Sequence, residues 1–341
     1  MVFGARTAIA VGAAAVVILA APFTQQGVEA LGDQFGRVAI AATGVPIAIA
    51  LLIALVRIRD RRALRYAALA AAVGIGVAYG WTSNVSVGES FHFAEYGVVT
   101  LLFYWACRPL GDASALVLPV IAALLAGTLD EWFQWFIPIR AGEARDVALN
   151  AVAAACGLLV GVAMAPPEAR LGFGPAARSR VALWSAATAV TFALFFQSVH
   201  LGHDIVRGDI GTFRSRYTET RLADIGRERA ARWSAQPPLE RRRLSREDQF
   251  LTEGLWHVQE RNRASSAGDL LTAWRENAIL ETFYTPVLDT ASYSSATGHR
   301  WSPEQRVAAE AAAAAASASD RSPYVSDAYP FPLYAWPFRG F

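Results

Sequence analysis

Ionisable and amide side chains interrupt three strongly apolar segments of the sequence, and their types suit acid–base chemistry or the binding of a polar ligand. They lie near one end of each segment, at His92, Glu95, Tyr96, Asp130, Glu131, Gln134, Asp146 and Asn150. Polar groups inside a membrane helix are costly, so they usually face the bundle interior and mark a functional site. Spacings of three and four residues place His92, Glu95 and Tyr96 on one helix face. The short segment after Gln134 adds Arg140 within reach of these acids.

Two interpretations of these polar residues stay open. In the first, they pair with one another, for example Arg140 with Glu131 and His92 with Asp146, and only lock three helices together. In the second, which we favour, they form an outward-facing pocket that binds a polar headgroup. Hydrolysis or cation binding would use the same carboxylates, but one histidine among scattered acids is not typical of a metal site. We therefore predict no catalytic residue, no metal and no cofactor.

The segments that carry these residues have the length of membrane-spanning helices. About 20 apolar residues cross the hydrocarbon layer as a helix, and lipid does not tolerate unpaired backbone groups. Apolar segments that approach or reach this length occur at residues 7–23, 38–56, 64–81, 91–107, 114–137, 147–165 and 181–199. The sequence therefore predicts an all-α bundle of about seven membrane-spanning helices within residues 1–200.

Arginine is distributed unevenly over the loops between these segments, and the arginine-rich side of a membrane protein is the cytoplasmic side. With a cytoplasmic N-terminus, ten arginines lie inside and three, Arg37, Arg140 and Arg145, lie outside. This distribution predicts a protein of the bacterial cytoplasmic membrane whose C-terminal region is extracytoplasmic. The polar residues then lie at the outer leaflet. The first segment would also suit a cleavable signal peptide, but we favour its retention.

Charged residues are sparse in the first 200 residues and frequent afterwards. Asp, Glu and Arg number 24 in residues 1–200 and 36 in the remaining 141, so the first part resembles a membrane domain and the second a soluble region. The net charge of +2 gives no reason to expect a nucleic-acid partner. Cys107 and Cys156 both lie in apolar segments and form no CxxC motif, which excludes a disulfide framework and a haem-attachment site.

Two strings of residues resemble the membrane domain of the VanZ-like family. They are FHFAEYGVVTLLFY at 91–104 and LDEWFQWFIPIRAGEARDVALNAVAAACG at 129–157. The shared pattern is a His and Tyr pair that opens one helix, an acidic DExxQ followed by Pro and Arg, and an Asp with an Asn four residues later. The matching positions in this chain are His92, Glu95, Tyr96, Asp130, Glu131, Gln134, Pro138, Arg140, Asp146 and Asn150.

The resemblance extends at most over residues 40–165 and implies a membrane fold at the cell envelope. The family takes its name from a protein associated with low-level resistance to the glycopeptide teicoplanin. A glycopeptide or a lipid-linked envelope precursor is therefore an expected ligand, besides membrane lipid. The resemblance assigns no catalytic role to any residue. Gly157 and Gly161, a GxxxG pair in this region, predict close packing of the sixth segment on a neighbour.

The C-terminal tail divides into a helical region, 201–321, and an extended aromatic end, 322–341. Mixed Arg and Glu patterns predict helices near 213–233, 245–263, 267–283 and 303–318, and no strand. Proline keeps the end extended, and its aromatic side chains would expose a large apolar surface. These are Tyr324, Tyr329, Phe331, Tyr334, Trp336, Phe338 and Phe341. They either lie on the tail's own helices or at the membrane interface, or they dock on a protein partner.

The function that we favour is a non-catalytic binding or accessory protein with an outward polar pocket and a tail that docks on a membrane-protein partner. One alternative is a structural subunit of a large membrane complex, of the respiratory or the photosynthetic reaction-centre and antenna type. Another is an enzyme that modifies an envelope lipid, with Glu131 or Asp146 as acid or base and His92 as partner. The polar residues include no nucleophile with an evident activating base, which favours binding over catalysis.

Overall fold

A computed structural model describes most of the chain and shows a mostly helical protein. The described residues are 4–31, 35–60, 62–83, 87–138, 140–167, 171–208, 210–238, 248–292, 294–316 and 324–335. The chain divides into two compact units, which are Met1–Gln134 with Gly142–Phe196, and Trp135–Ala141 with Gln197–Phe341. The division near residue 197 follows the change from sparse to frequent charge in the sequence.

Long helices follow one another from residue 5 to residue 200. They are α1 (Ala5–Leu31), α2 (Phe35–Arg57), α3 (Arg62–Thr82), α4 (Val87–Cys107), α5 (Ser114–Trp135), α6 (Ala144–Met164) and α7 (Pro175–His200). Each coincides with one predicted apolar segment. In the described part of the chain, five of them are long and apolar enough to span a membrane, namely α1, α3, α5, α6 and α7. The crossing of the membrane by all seven stays a prediction.

Glycine allows α4 and α6 to pack closely against each other. A Cβ atom at Gly157 would overlap the carbonyl oxygen of Gly97, and one at Gly161 would lie 2.8 Å from Cδ1 of Tyr104. The close packing that the GxxxG spacing predicts is therefore present, and the neighbour is α4. Small residues permit such an approach because no side chain separates the two backbones.

The second unit combines helices with a small sheet. The helices are α8 (Glu219–Ala235), α9 (Gln249–Ser266), α10 (Leu270–Phe283), α11 (Thr285–Asp289) and α12 (Pro303–Ala315). The strands are β1 (Leu201–Arg207), β2 (Gly211–Ser215) and β3 (Tyr334–Ala335), in the order β2-β1-β3. β1 pairs antiparallel with β2 and parallel with β3. The prediction of a strand-free tail is wrong. The helix predicted near 213–233 is present but begins only at Glu219, because residues 213–215 belong to β2.

The strands form because alternate residues of β1 and β2 face a common core. Ile205 pairs with Phe213 across the two strands, and both side chains are buried. On the other face, Nε of Arg214 donates to Oδ1 of Asp204 at 2.8 Å. Cross-strand pairs of this kind stabilise a hairpin, although each strand by itself is too short and mixed to show a clear period in the sequence.

Except for the short α11, the described helices of the second unit start at side chains that cap them. Asp248 accepts a hydrogen bond from the backbone N–H of Phe250 at 2.9 Å, so α9 begins later than the predicted residue 245. Residues 245–247, where this helix was predicted to begin, lie outside the described residues. Ser302 forms a capping box with Gln305, as the helix start predicted there requires. The core beneath these helices includes Phe213, Leu222, Phe250, Ile279 and Tyr284.

Candidate functional site

Side chains from α4 and α5 meet in the first unit. The Tyr96 phenol donates a hydrogen bond to Oδ2 of Asp130 at 3.0 Å. Nδ1 of His92 lies 3.8 Å from the same oxygen and 3.7 Å from Oε2 of Glu95. Both distances are longer than a hydrogen bond, so the imidazole is placed between two carboxylates as an electrostatic neighbour. The structure thus brings together the polar groups that the sequence places on separate helices.

Glu131 adds a second carboxylate beside Asp130. Its Oε2 accepts a hydrogen bond from the backbone N–H of Glu143 at 3.0 Å, and its Oε1 accepts one from Nε2 of Gln134 at 3.4 Å. Glu143 is the N-cap residue of α6, where the helix dipole favours a negative neighbour. We call His92, Glu95, Tyr96, Asp130, Glu131 and Gln134 the polar cluster.

The two central acids of the polar cluster are withdrawn from solvent. Asp130 is 1% exposed and Glu131 is 0% exposed, whereas the side chains of His92 and Glu95 are partly exposed. Buried carboxylates are kept in proteins where they are hydrogen-bonded, paired or bound to a metal. The partly exposed His92 and Glu95 therefore form the more accessible side of a site whose acidic centre is buried.

Three side chains of the polar cluster have the geometry to hold a metal ion. One ligand atom each from His92, Asp130 and Glu131 lies within 4.8 Å of the other two. Two carboxylates with one imidazole suit divalent ions such as Mn²⁺ or Zn²⁺. The sequence argued against a metal because the acids looked scattered, but the packing of α4 on α5 brings them together with His92.

Asn150 of α6 is buried next to α5. It is 0% exposed, and neither its Oδ1 nor its Nδ2 has a hydrogen-bond partner among the described residues. A Cβ atom at Gly127 would lie 2.9 Å from Nδ2 of Asn150, so the amide faces α5 one turn before Asp130 and Glu131. An amide buried without partners is unfavourable by about 1–3 kcal/mol, and a bound polar group is one way to satisfy it.

Two predicted residues of the site remain, Asp146 and Arg140. Asp146 is half-buried in the first turn of α6, and Arg140 is half-buried in the loop 135–141, which belongs to the second unit. Burial raises the pKa of the Glu143 carboxyl, and the neighbouring Asp146 raises it further. Acidic side chains therefore accumulate at the start of α6.

An ion pair and a backbone donor in this region were not predicted from the sequence. Arg145 Nη2 lies 3.3 Å from Oε1 of Glu89, one turn before His92 on α4. The spacing of three residues placed Glu89 on the same face of α4 as His92, but nothing in the sequence indicated its pairing with Arg145. The Glu143 N–H that bonds to Glu131 had no signal, because any residue provides a backbone donor.

The described part of the aromatic end lies against residues of its own unit. The Tyr324 phenol donates to Glu276, and the Tyr329 phenol donates to Glu253. Burial and then the Glu253 carboxylate raise the pKa of Tyr329, so its hydroxyl stays protonated as a donor. These two contacts agree with the interpretation in which the segment lies on the tail's own helices.

Phe331 and Tyr334 differ in exposure. The Phe331 ring is buried, and its centroid lies 5.3 Å from that of Trp135 and 5.5 Å from that of Trp256. Tyr334 is 43% exposed and pairs with Leu201 in the sheet. Of the seven predicted docking residues, Trp336, Phe338 and Phe341 lie outside the described residues. Among the described residues of the aromatic end, Tyr334 is thus the aromatic side chain that is most exposed.

Comparisons with other proteins provide no family assignment for these two units. No family model, curated protein or solved structure matches the chain.

Proposed function

We propose that this chain is a VanZ-like multi-pass membrane protein that binds a polar ligand at the polar cluster and does not transform it. The observation that carries the proposal is the meeting of His92, Asp130 and Glu131 within 4.8 Å of one another. Their order and spacing resemble the VanZ-like pattern, and the burial of Asp130 and Glu131 separates these two acids from bulk water. Five apolar helices in the described part of the chain support a membrane location.

The ligand class that fits this donor set is a divalent cation. Two carboxylates and an imidazole provide three ligand atoms, and the ion keeps further coordination positions for water or for oxygen atoms of a second ligand. Phosphate oxygens commonly fill such positions. The cation would thereby attach the phosphate of a lipid-linked envelope precursor to an acidic site that otherwise repels it.

Catalysis has weaker support than binding. The polar cluster contains no serine, threonine, cysteine or lysine side chain that could act as a nucleophile beside its histidine. A bound cation would still polarise a phosphate, so turnover of an envelope lipid stays an alternative. Placement of the cluster at the outer leaflet of a bacterial cytoplasmic membrane rests on the arginine distribution.

The experiment that tests the proposal measures metal retention. Full-length protein purified in mild detergent is loaded with Mn²⁺, dialysed and measured by inductively coupled plasma mass spectrometry. We expect about one ion per chain for the wild type and little for Asp130→Asn or Glu131→Gln, since each change removes a charged ligand. Lipid extracted from the same samples, measured by mass spectrometry, then identifies a phosphate-bearing ligand.

A matched control makes the same kind of substitution at an acid outside the polar cluster. Asp112→Asn removes an acid that pairs with Arg180 just before the start of α5, so it should retain the wild-type metal content. Helix content and size-exclusion elution show that each variant is folded. Equal metal content in the wild type and both folded cluster variants would remove the cation from the proposal. Equal lipid content as well would remove the binding function.

A scaffold role in a larger membrane complex is a second proposal. The observation that favours it is the exposed Tyr334, which directly precedes the last aromatic residues of the chain. Tyr334→Ser would weaken co-purification with a membrane-protein partner and leave metal retention unchanged. No change in the set of co-purified proteins would count against this role.

A further inference from the structure

A histidine and a glutamate form a buried pair in the second unit, on α9 and α10. Nδ1 of His257 lies 2.6 Å from Oε2 of Glu276, and the two residues are 1% and 0% exposed. Glu276 also accepts a hydrogen bond from the Tyr324 phenol. A carboxylate held by several donors remains ionised, so the proton between the two side chains resides on Nδ1 of His257.

The second ring nitrogen of His257 has an unfilled hydrogen-bonding position. Nε2 is buried and has no hydrogen-bond partner among the residues that the structure describes. With the proton fixed on Nδ1, neutral histidine presents a lone pair at Nε2. A carboxylate that orients an imidazole in this way is common where the other nitrogen binds a ligand.

His257 lines a cavity of about 290 Å³ that includes residues of the aromatic end. The polar side chains of the lining are those of Arg214, Ser326, Asp327 and Tyr329, and Phe331 with its neighbouring prolines provides an apolar wall. The size is at the small end of ligand pockets, which hold about 300–1,000 Å³. It suits one ring with its substituents.

The charges of the lining indicate an uncharged ligand. Arg214 is neutralised in part by Asp204, whose Oδ1 accepts from its Nε at 2.8 Å. Asp327 also lines the cavity and is negatively charged. Because the lining carries both signs of charge, it favours neither an anion nor a cation. Donors and acceptors of both kinds beside an apolar wall match a hydroxylated ring, which has polar edges and an apolar face.

We infer that this cavity binds a small uncharged ligand rich in hydroxyl groups, such as one sugar ring, with a ligand hydroxyl donating to Nε2 of His257. The alternative is a purely structural role, in which His257 only packs in the core. That alternative leaves a buried nitrogen without a partner, which is unfavourable by about 1–3 kcal/mol unless water or a ligand satisfies it. The inference is independent of the polar cluster and of any metal there.

The experiment is saturation-transfer NMR of sugar probes on the full-length protein. The protein is placed in phosphatidylcholine nanodiscs, because maltoside detergents would themselves carry the ligand class. Glucose and N-acetylglucosamine are the test probes, and inorganic phosphate, followed by ³¹P line width, is the anionic probe. We expect saturable transfer from a sugar, and no broadening of phosphate.

Two variants test whether the sugar binds in the cavity. His257→Gln should abolish the transfer, and Arg214→Gln should lower the affinity about fivefold by the loss of one hydrogen-bond donor. Arg227→Gln is the matched control, because Arg227 also pairs with an aspartate, Asp224, but does not line the cavity. It should bind like the wild type.

Selective ¹⁵N labelling of histidine gives a second readout, in which binding is followed on the wild-type protein. The chain has five histidines, so the His257 ring is identified by comparison with His257→Gln. In the wild type, the sugar should shift the Nε2 resonance of His257. No transfer from either sugar, transfer that persists in folded His257→Gln, or binding of phosphate alone would overturn the inference.

Discussion

The phenol of Tyr96 on α4 donates to Oδ2 of Asp130 on α5 at 3.0 Å, and both residues are 1% exposed. The hydrogen bond therefore joins two helices in a place where water cannot replace either partner. It also orients one of the carboxylates that we propose as a cation ligand. Groups that orient a metal ligand change the affinity for the metal without contacting it.

Replacement of Tyr96 by phenylalanine should weaken both packing and cation binding. The loss of the hydroxyl leaves Asp130 with one donor fewer in a buried site, which should lower the free energy of unfolding by about 1–3 kcal/mol. The affinity for Mn²⁺ should fall about tenfold or more, because Asp130 loses a group that orients it. Thermal unfolding and Mn²⁺ titration of the detergent-solubilised protein measure the two effects.

Tyr104→Phe is the control for this prediction, because it makes the same change on the same helix. The Tyr104 phenol donates to the carbonyl oxygen of Ala165 at 2.7 Å, away from the polar cluster. This variant should lose a similar amount of stability and keep its affinity for Mn²⁺. An equal loss of affinity in both variants would show that Tyr96 acts only through helix packing.

Replacement of Gly157 by alanine should separate α4 from α6. The added Cβ would overlap the carbonyl oxygen of Gly97, and backbone atoms cannot move aside as a flexible side chain does. Overpacking of this kind lowers stability by about 1–3 kcal/mol. Gly12→Ala on α1 is the control, since a Cβ there meets nothing within 4 Å and alanine favours a helix. The midpoint temperature of thermal unfolding should therefore fall for Gly157→Ala and not for Gly12→Ala.

The helices of the first unit were predictable because each apolar segment is long enough to form one by itself. The polar cluster was predictable as a set of residues, since His92 and Tyr96 share a helix face and Asp130 precedes Glu131. The approach of His92 to both acids was not, because it depends on how α4 packs against α5. Packing between helices is a relationship that periodicity along one segment does not contain.

In the second unit, too, contacts between elements could not be predicted from the sequence of each element. β3 at Tyr334 pairs with β1 at Leu201, and no local pattern links residues so far apart in sequence. The pair of His257 and Glu276 joins two neighbouring helices, each of which was predicted. Its chemistry was missed because a single histidine in an amphipathic helix is typical of an ordinary core or surface position.

Truncation after Asp320 should unfold the second unit. The deleted residues bury Phe331 and Leu333, and they supply the phenols of Tyr324 and Tyr329 to two buried carboxylates. These losses sum to about 5 kcal/mol or more, which is comparable with the whole stability of a small domain. Amide hydrogen exchange in α9 and α10 of the full-length and truncated proteins measures the effect.

Truncation after Ala335 is the control for truncation after Asp320. It removes Trp336, Phe338 and Phe341 but keeps the contacts of Phe331 and Tyr329, so exchange in α9 should stay slow. If the chain that ends at Asp320 exchanges equally slowly, the packing of the aromatic end does not support the fold. If a partner protein no longer co-purifies, the loss shows docking only for the chain that ends at Ala335, because this chain stays folded.

Acid should destabilise the second unit through Glu276. Burial alone would raise the pKa of Glu276, but His257 and the hydroxyls of Ser326 and Tyr324 outweigh burial and hold the pKa below its usual value. An unfolded glutamate titrates near about pH 4.3. Because the folded pKa is lower, the unfolded state binds more protons between the two values. The stabilisation is therefore complete above about pH 4.3 and is lost as the pH falls through the folded pKa.

The variant Glu276→Gln should remove this dependence on pH. At pH 7 it removes the carboxylate that accepts from Nδ1 of the buried His257 and should lower the free energy of unfolding by about 1–3 kcal/mol. The difference from the wild type should shrink as the pH falls, since protonation of Glu276 removes the same interaction. Protection of α9 and α10 amides, corrected for intrinsic exchange, measures both curves. Glu228→Gln, at an exposed position, should keep the wild-type profile. A difference that stays constant down to about pH 3 would mean that Glu276 does not titrate as its surroundings indicate.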